Sequence, residues 1–87
     1  MEIYRTENLE VRARYSFGNL LVVGKVYSIK EDYQYVGMVC MDEQGKIELY
    51  IRSRYRNRDY IVEDYEKLKD ELLDYAKFWR NRERKRQ

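Results

Sequence analysis

The chain has 87 residues, 18 of them basic and 16 acidic, with a formal net charge of +2. A chain of this length builds one core, and its apolar and aromatic content of 44% is too high for a disordered protein. Histidine is absent and Cys40 is the single cysteine. This excludes a Cys/His zinc site, a disulfide within the chain and any Ser/His or Cys/His catalytic pair, and we expect no cofactor.

No stretch of the sequence approaches the roughly 18 apolar residues of a membrane-spanning helix. The first residues also lack the basic and then apolar pattern of a signal peptide. We therefore expect a cytoplasmic protein that does not bind a membrane.

Short turn signals divide the first two thirds of the chain into runs rich in Val, Ile, Leu and Tyr. They predict five strands, at residues 2–6, 9–17, 20–30, 33–42 and 46–55. The connecting loops have two or three residues, which permits only antiparallel hairpins. The prediction is an antiparallel meander, either an open sheet or a partly open small barrel.

The loops at positions 18–19, 31–32 and 43–45 also predict the register of strands two to five. One predicted face is apolar and contains Leu9, Val11, Ala13, Tyr15, Phe17, Leu20, Val22, Gly24, Val26, Tyr35, Gly37, Val39, Met41, Ile47, Leu49, Ile51 and Tyr55. The other face contains Glu10, Arg12, Arg14, Leu21, Val23, Lys25, Tyr27, Ile29, Val36, Met38, Cys40, Glu48, Tyr50, Arg52 and Arg54. The apolar face needs a cover.

After Asn57 the apolar period changes to that of a helix. The stripe consists of Ile61, Tyr65, Leu68, Leu72, Tyr75 and Trp79. It predicts an amphipathic helix of about 20 residues packed on the apolar face, which gives an α+β fold. Residues 1–80 then form one compact domain, and residues 81–87 form a basic tail that we predict to be disordered.

The second face combines apolar inner strands with arginines on the flanking strands. A fully solvated face would alternate to polar residues throughout, so something is expected to cover this one. Three explanations remain open: closure into a small barrel, self-association as a homodimer, and a platform for a partner.

The segment RSRYRNR, residues 52–58, carries a net charge of +4. If the last strand continues to residue 55, then Arg52, Arg54 and Arg56 project from one side, about 6.6 Å apart, where they could bind phosphates. The predicted nucleic-acid site is Arg12, Arg14, Lys25, Tyr27, Tyr50, Arg52, Arg54, Tyr55, Arg56 and Arg58. The alternative is a solvated strand end whose arginines pair with Glu63 or Asp64.

These features predict a small, non-catalytic protein that binds DNA or RNA through arginine and tyrosine with weak sequence preference. The alternative is a protein-binding accessory or inhibitor, of the kind that phages and mobile elements encode, which blocks a host enzyme through the arginine-ringed apolar face. Catalysis without a metal, as a ribonuclease using Glu48, Tyr50 and Arg52, is conceivable but is not our prediction.

Overall fold

The computed structural model describes residues 1–16, 21–41 and 44–86, with backbone alone at positions 16, 21–23 and 83–86. The elements are β1 (Glu2–Arg5), β2 (Leu9–Ser16), β3 (Leu21–Ser28), β4 (Gln34–Met41), β5 (Ile47–Ile51), a short 3-10 helix (Ser53–Tyr55) and α1 (Asp59–Arg86). The strands form one antiparallel sheet in the order β1-β2-β3-β4-β5, so the predicted meander is confirmed. The sheet is open, and the predicted alternative of a partly open barrel is not the observed form.

The register of β2 with β3, and of β4 with β5, is the one predicted from the turns. Tyr15 pairs with Val22, and Val39 pairs with Leu49. The loop at 18–19 and part of the loop at 43–45 lie outside the described residues. Their predicted lengths nevertheless agree with the pairing of the flanking strands.

The turn between β3 and β4 differs from the predicted two-residue loop. Ser28 pairs with Gln34, and Asp32 and Tyr33 both adopt positive φ, at 59° and 60°. A β-bulge between β3 and β4 then restores the predicted register further along the strand. Because a one-residue shift exchanges the two faces, the predicted positions of Tyr35 and Val36 are wrong: Val36 is buried in the core, and Tyr35 lies beside Tyr27 on the opposite side.

Helix α1 packs its predicted stripe against the apolar face of the sheet. Ile61 and Leu72 are fully buried, as are Val11 and Val26 on the strands below. Trp79, near the other end of the stripe, stacks on Tyr15 with ring centroids 6.0 Å apart. The predicted α+β architecture is therefore confirmed, with the core between one helix and one face of the sheet.

The helix is longer than the sequence pattern predicts. It has 28 residues, or about 42 Å at 1.5 Å per residue, and continues to Arg86 through most of the segment that we predicted as a disordered tail. Glycine and proline are absent from this segment, and Arg, Lys and Glu are good helix formers.

The predicted continuation of β5 to residue 55 is wrong. The strand ends at Ile51, and the amide of Tyr55 donates a hydrogen bond to the carbonyl oxygen of Arg52 at 2.8 Å, which closes the 3-10 turn. Tyr55 is only 5% exposed, and its ring joins the core. The 3-10 turn thus carries the Tyr55 ring into the core.

Candidate nucleic-acid interface

The face of the sheet turned away from α1 is hereafter the open face, because no described element covers it. Its described side chains are Ile3, Arg5, Glu10, Arg12, Arg14, Lys25, Tyr27, Tyr35, Met38, Cys40, Glu48, Tyr50 and Arg52. Tyr50 is 55% exposed and Ile3 44% exposed. The arginine-flanked second face predicted from the register therefore exists as an accessible surface.

Charge is distributed unequally between the two sides of the molecule. The open face carries five basic side chains against the two carboxylates of Glu10 and Glu48. Over residues 59–78, the exposed side of α1 is acidic, with Glu63, Glu66, Asp70, Glu71 and Asp74, whereas residues 79–87 carry a net charge of +4. A polyanion is consequently attracted to the open face and repelled from the first two thirds of the helix.

One row of side chains crosses the open face along the end nearest the β3–β4 turn. Glu10 accepts hydrogen bonds from the Nε atoms of Arg5 and Arg12, each at 2.8 Å. The guanidinium of Arg12 lies over the ring of Tyr27, 4.2 Å from its centroid, and Tyr27 contacts Tyr35 at a centroid distance of 5.8 Å. These contacts fix the rings and guanidinium groups relative to one another.

The row ends just beyond β5. The guanidinium of Arg52 lies over the ring of Tyr35 at 5.5 Å, and its Nη1 donates a hydrogen bond to the carbonyl oxygen of Tyr35 at 3.4 Å. Two of the tyrosines on the open face thus support arginines. The most exposed of its three tyrosine rings is that of Tyr50.

Glu10 is 2% exposed, which is unusual for a carboxylate. Burial alone would raise its pKa, but the hydrogen bonds and positive charges of Arg5 and Arg12 outweigh burial, and the pKa is lowered. The hydrogen bond to Glu10 in turn raises the pKa of Arg12. Glu10 therefore remains charged at neutral pH and holds both arginines.

A shallow concavity of about 310 Å³ lies on the open face beside this row. It is lined by Met1, Arg12, Arg14, Lys25 and Tyr27. Four of these five are predicted site residues, so the structure brings together positions that come from two strands.

The remaining predicted site residues are dispersed around the corner between β5 and α1. Arg54 and Arg58 flank the buried ring of Tyr55, at 5.9 and 5.3 Å from its centroid. Arg56 lines a second groove, of about 350 Å³, at the β5 edge with Leu49, Tyr50 and Ile51. The predicted line of equally spaced arginines does not form, and Tyr55 has no accessible ring face on which a base could stack.

Arg58 is engaged within the protein. Its Nη2 is 3.1 Å from Oε1 of Glu31, whose other oxygen accepts a hydrogen bond from the hydroxyl of Tyr60 at 2.6 Å. These hydrogen bonds, that from Tyr60 first, lower the pKa of Glu31. The alternative interpretation expected arginines of this segment to pair with Glu63 or Asp64. Arg58 does pair with an acidic residue, but this residue is Glu31.

Sequence reasoning missed three members of the row. Tyr35 was placed on the wrong face because the bulge could not be read from the turn signals. Arg5 was not assigned because the first strand was given no register, although the turn at residues 6–9 sets its pairing with Glu10. Glu10 was placed on the correct face, but its burial between two arginines depends on that same pairing.

Other chemistry has less support at this surface. Tyr50 donates a hydrogen bond from its hydroxyl to Glu48 at 2.5 Å, whereas Arg52, the third member of the conceivable ribonuclease set, contacts Tyr35. In residues 1–16, 21–41 and 44–86, three or more potential metal ligands never gather into one group. Within the same ranges, no helix combines the length and apolarity needed to span a bilayer.

Comparison of the chain with protein-family models, curated proteins and solved structures finds no match.

Proposed function

We propose that the chain binds single-stranded DNA or RNA on the open face of its sheet, without catalysis and with weak sequence preference. The observation that carries this proposal is the convergence of Arg12, Arg14, Lys25 and Tyr27 around one concavity of an uncovered sheet. Basic side chains attract the phosphate backbone, and guanidinium groups form bidentate hydrogen bonds with phosphate oxygens.

The aromatic content of the face favours a single strand over a duplex. Unpaired bases stack on exposed aromatic rings, whereas bases in a duplex are not accessible for stacking. Tyr50 pairs with Met38, Met38 with Lys25, and Lys25 with Arg12 on successive strands. One ring and two cations are therefore aligned across the sheet. Stacking and phosphate contacts carry little sequence information, which supports weak sequence preference.

The acidic surface of α1 supports the assignment to this one face. Residues 59–78 have a net charge of −4, so a bound strand that reached around to this part of the helix would be repelled, unlike one that reached residues 79–87, with their net charge of +4. The weakly basic total charge of the chain conceals this polarity.

The test is fluorescence anisotropy with a labelled single strand of about 12 nucleotides, titrated over a range of salt concentrations. Arg12→Gln with Arg14→Gln should weaken binding and flatten the slope of log K against log salt by about 1.4, since each phosphate contact on a single strand contributes about 0.7. The control is Lys67→Gln with Lys77→Gln, which removes the same charge from the exposed side of α1. Equal effects of the two double variants would contradict the proposal.

The stacking contribution is tested separately. Tyr50→Ala should weaken binding of the single strand by about 1 to 3 kcal/mol and leave the salt slope nearly unchanged. A duplex of the same sequence should bind more weakly than the single strand and respond little to Tyr50→Ala. Preferential binding of the duplex would contradict the choice of a single strand.

Binding to a protein, including inhibition of a host enzyme, is the second candidate function. It is favoured by the apolar side chains of Ile3, 44% exposed, and Met38, half-buried, between the cations of the open face. A homodimer through the same face is included in this candidate. Two results would support this second candidate function. Oligonucleotides should fail to bind near physiological salt, and Met38→Glu should abolish either a dimer seen by light scattering or the capture of a protein partner.

A further inference from the structure

On the open face, we propose that Arg5 and Arg12 form a clamp for one phosphodiester group, with Glu10 as the positioning residue that holds the clamp in shape. This inference rests on the proposed function and goes further, because it assigns a particular phosphate site and gives an acidic residue a role in binding a polyanion.

The hydrogen-bond geometry leaves the ends of both guanidinium groups outside the ion pair. Glu10 accepts from Nε of Arg5 through Oε1 and from Nε of Arg12 through Oε2, each at 2.8 Å. A guanidinium has five N–H donors in a planar fork, four of them on its two Nη atoms. Two such forks, held by the two oxygens of one carboxylate, can donate to the same phosphate group.

Burial and stacking make the arrangement rigid. Glu10 is 2% exposed, whereas Arg5 and Arg12 are 62% and 41% exposed, so the carboxylate lies beneath two accessible cations. Tyr27 supports the Arg12 guanidinium at 4.2 Å, and this ring is itself packed beside Tyr35. Side chains held in this way lose less conformational entropy when a ligand binds.

The charge of the cluster also points to an anionic ligand. Two guanidinium groups share one carboxylate, which leaves a net charge of +1. Within the described part of the chain, neither arginine has a second carboxylate at ion-pair distance. A phosphodiester carries one negative charge and neutralises the net charge of the cluster.

The proposal predicts a change of opposite sign to that expected from net charge. Glu10→Gln raises the positive charge of the open face, so simple electrostatics predicts tighter binding of a polyanion. If Glu10 positions the clamp, the same variant binds the labelled single strand more weakly, on the order of tenfold. The control is Glu7→Gln, an equal charge change at an exposed position in the turn between β1 and β2, which should leave binding unchanged or tighter.

A second pair of variants does not depend on Glu10. Arg12→Lys and Arg5→Lys retain the charge but replace the planar fork by a point charge. Each should weaken binding at fixed salt while leaving the salt slope unchanged. Arg5→Gln and Arg12→Gln should also be non-additive in a double-mutant cycle, because the first substitution already opens the clamp.

Circular dichroism and thermal melting verify that each variant is folded, and the lysine variants provide the test if Glu10→Gln is not. The clamp is refuted if the lysine variants bind like the wild type, or if folded Glu10→Gln tightens binding as much as Glu7→Gln; in either case the proposed function still stands. Failure of the wild-type protein to bind any single strand would instead reject the proposed function, and the clamp with it.

Discussion

The hydroxyl groups of Tyr60 and Tyr65 provide a matched pair of deletions on one helix. The Tyr60 hydroxyl donates to Glu31 at 2.6 Å and shares a hydrogen bond with the Ser28 hydroxyl at 2.6 Å. It therefore joins the β3–β4 turn to the start of α1. The Tyr65 hydroxyl is buried and has no hydrogen-bond partner among the described residues.

Removal of these two oxygens should have opposite effects on stability. Tyr60→Phe loses one hydrogen bond to a carboxylate and one to a hydroxyl, and should lower the free energy of unfolding by about 2 kcal/mol. For a domain of this size, that corresponds to a decrease in melting temperature of about 10 °C. Tyr65→Phe removes an unsatisfied buried polar group and should be neutral or stabilising by up to about 1 kcal/mol.

The assay is urea unfolding followed by circular dichroism, with thermal melts of both variants in the same buffer. The m-value should not change, because neither substitution alters the surface exposed on unfolding. Equal destabilisation by the two variants, or a larger loss for Tyr65→Phe, would refute this account of the two hydroxyl groups.

Two further predictions concern acid stability and the close packing of β5. The lowered pKa of Glu31 means that its stabilising contribution is complete above its ordinary pKa of 4.5 and is lost as the pH falls through the lowered value. Glu31→Gln should therefore reduce the loss of stability that occurs in urea titrations as the pH falls below about 4.5, and an unchanged acid profile would contradict the role of the hydrogen bonds from Tyr60 and Arg58. Gly37→Ala should destabilise by about 2 kcal/mol or more, because a Cβ at this position would collide with the backbone carbonyl oxygen of Tyr50. Gly24→Ala, whose Cβ would come closest to a side-chain methyl group of Val11, at 2.9 Å, should be less destabilising, and the reverse order in urea midpoints would contradict this reasoning.

The sheet could be predicted from the sequence to the extent that its register depends on short turns. Loops of two or three residues fix which residues pair, so the pairs Tyr15–Val22 and Val39–Leu49 followed from loop length alone. The helix followed from the spacing of its apolar stripe. Both signals are local, and for this reason they are readable in one sequence.

The errors arise where tertiary packing decides the backbone. The bulge that moves Val36 into the core depends on the five-residue turn before it, in which Asp32 and Tyr33 adopt a conformation uncommon outside glycine. The strand end at Ile51 is followed by a 3-10 turn that places Tyr55 in the core. Neither is encoded in propensity or alternation.

The candidate site was predicted in part for the same reasons. Arg12, Arg14 and Lys25 follow from the register and line the concavity. The predicted line of equally spaced arginines in residues 52–58 required β5 to continue to residue 55, but β5 ends at Ile51. The role of Glu10 could not be predicted, because a buried carboxylate between two arginines depends on the pairing of β1 with β2.

The position of the bound strand can be mapped by backbone amide shifts in an NMR titration with a short single-stranded oligonucleotide. We expect the largest shifts at Arg12, Lys25, Met38 and Tyr50, which are aligned across neighbouring strands, and small shifts at residues 59–78 of α1. Shifts concentrated on α1, or an unchanged spectrum at saturating oligonucleotide, would contradict binding on the open face.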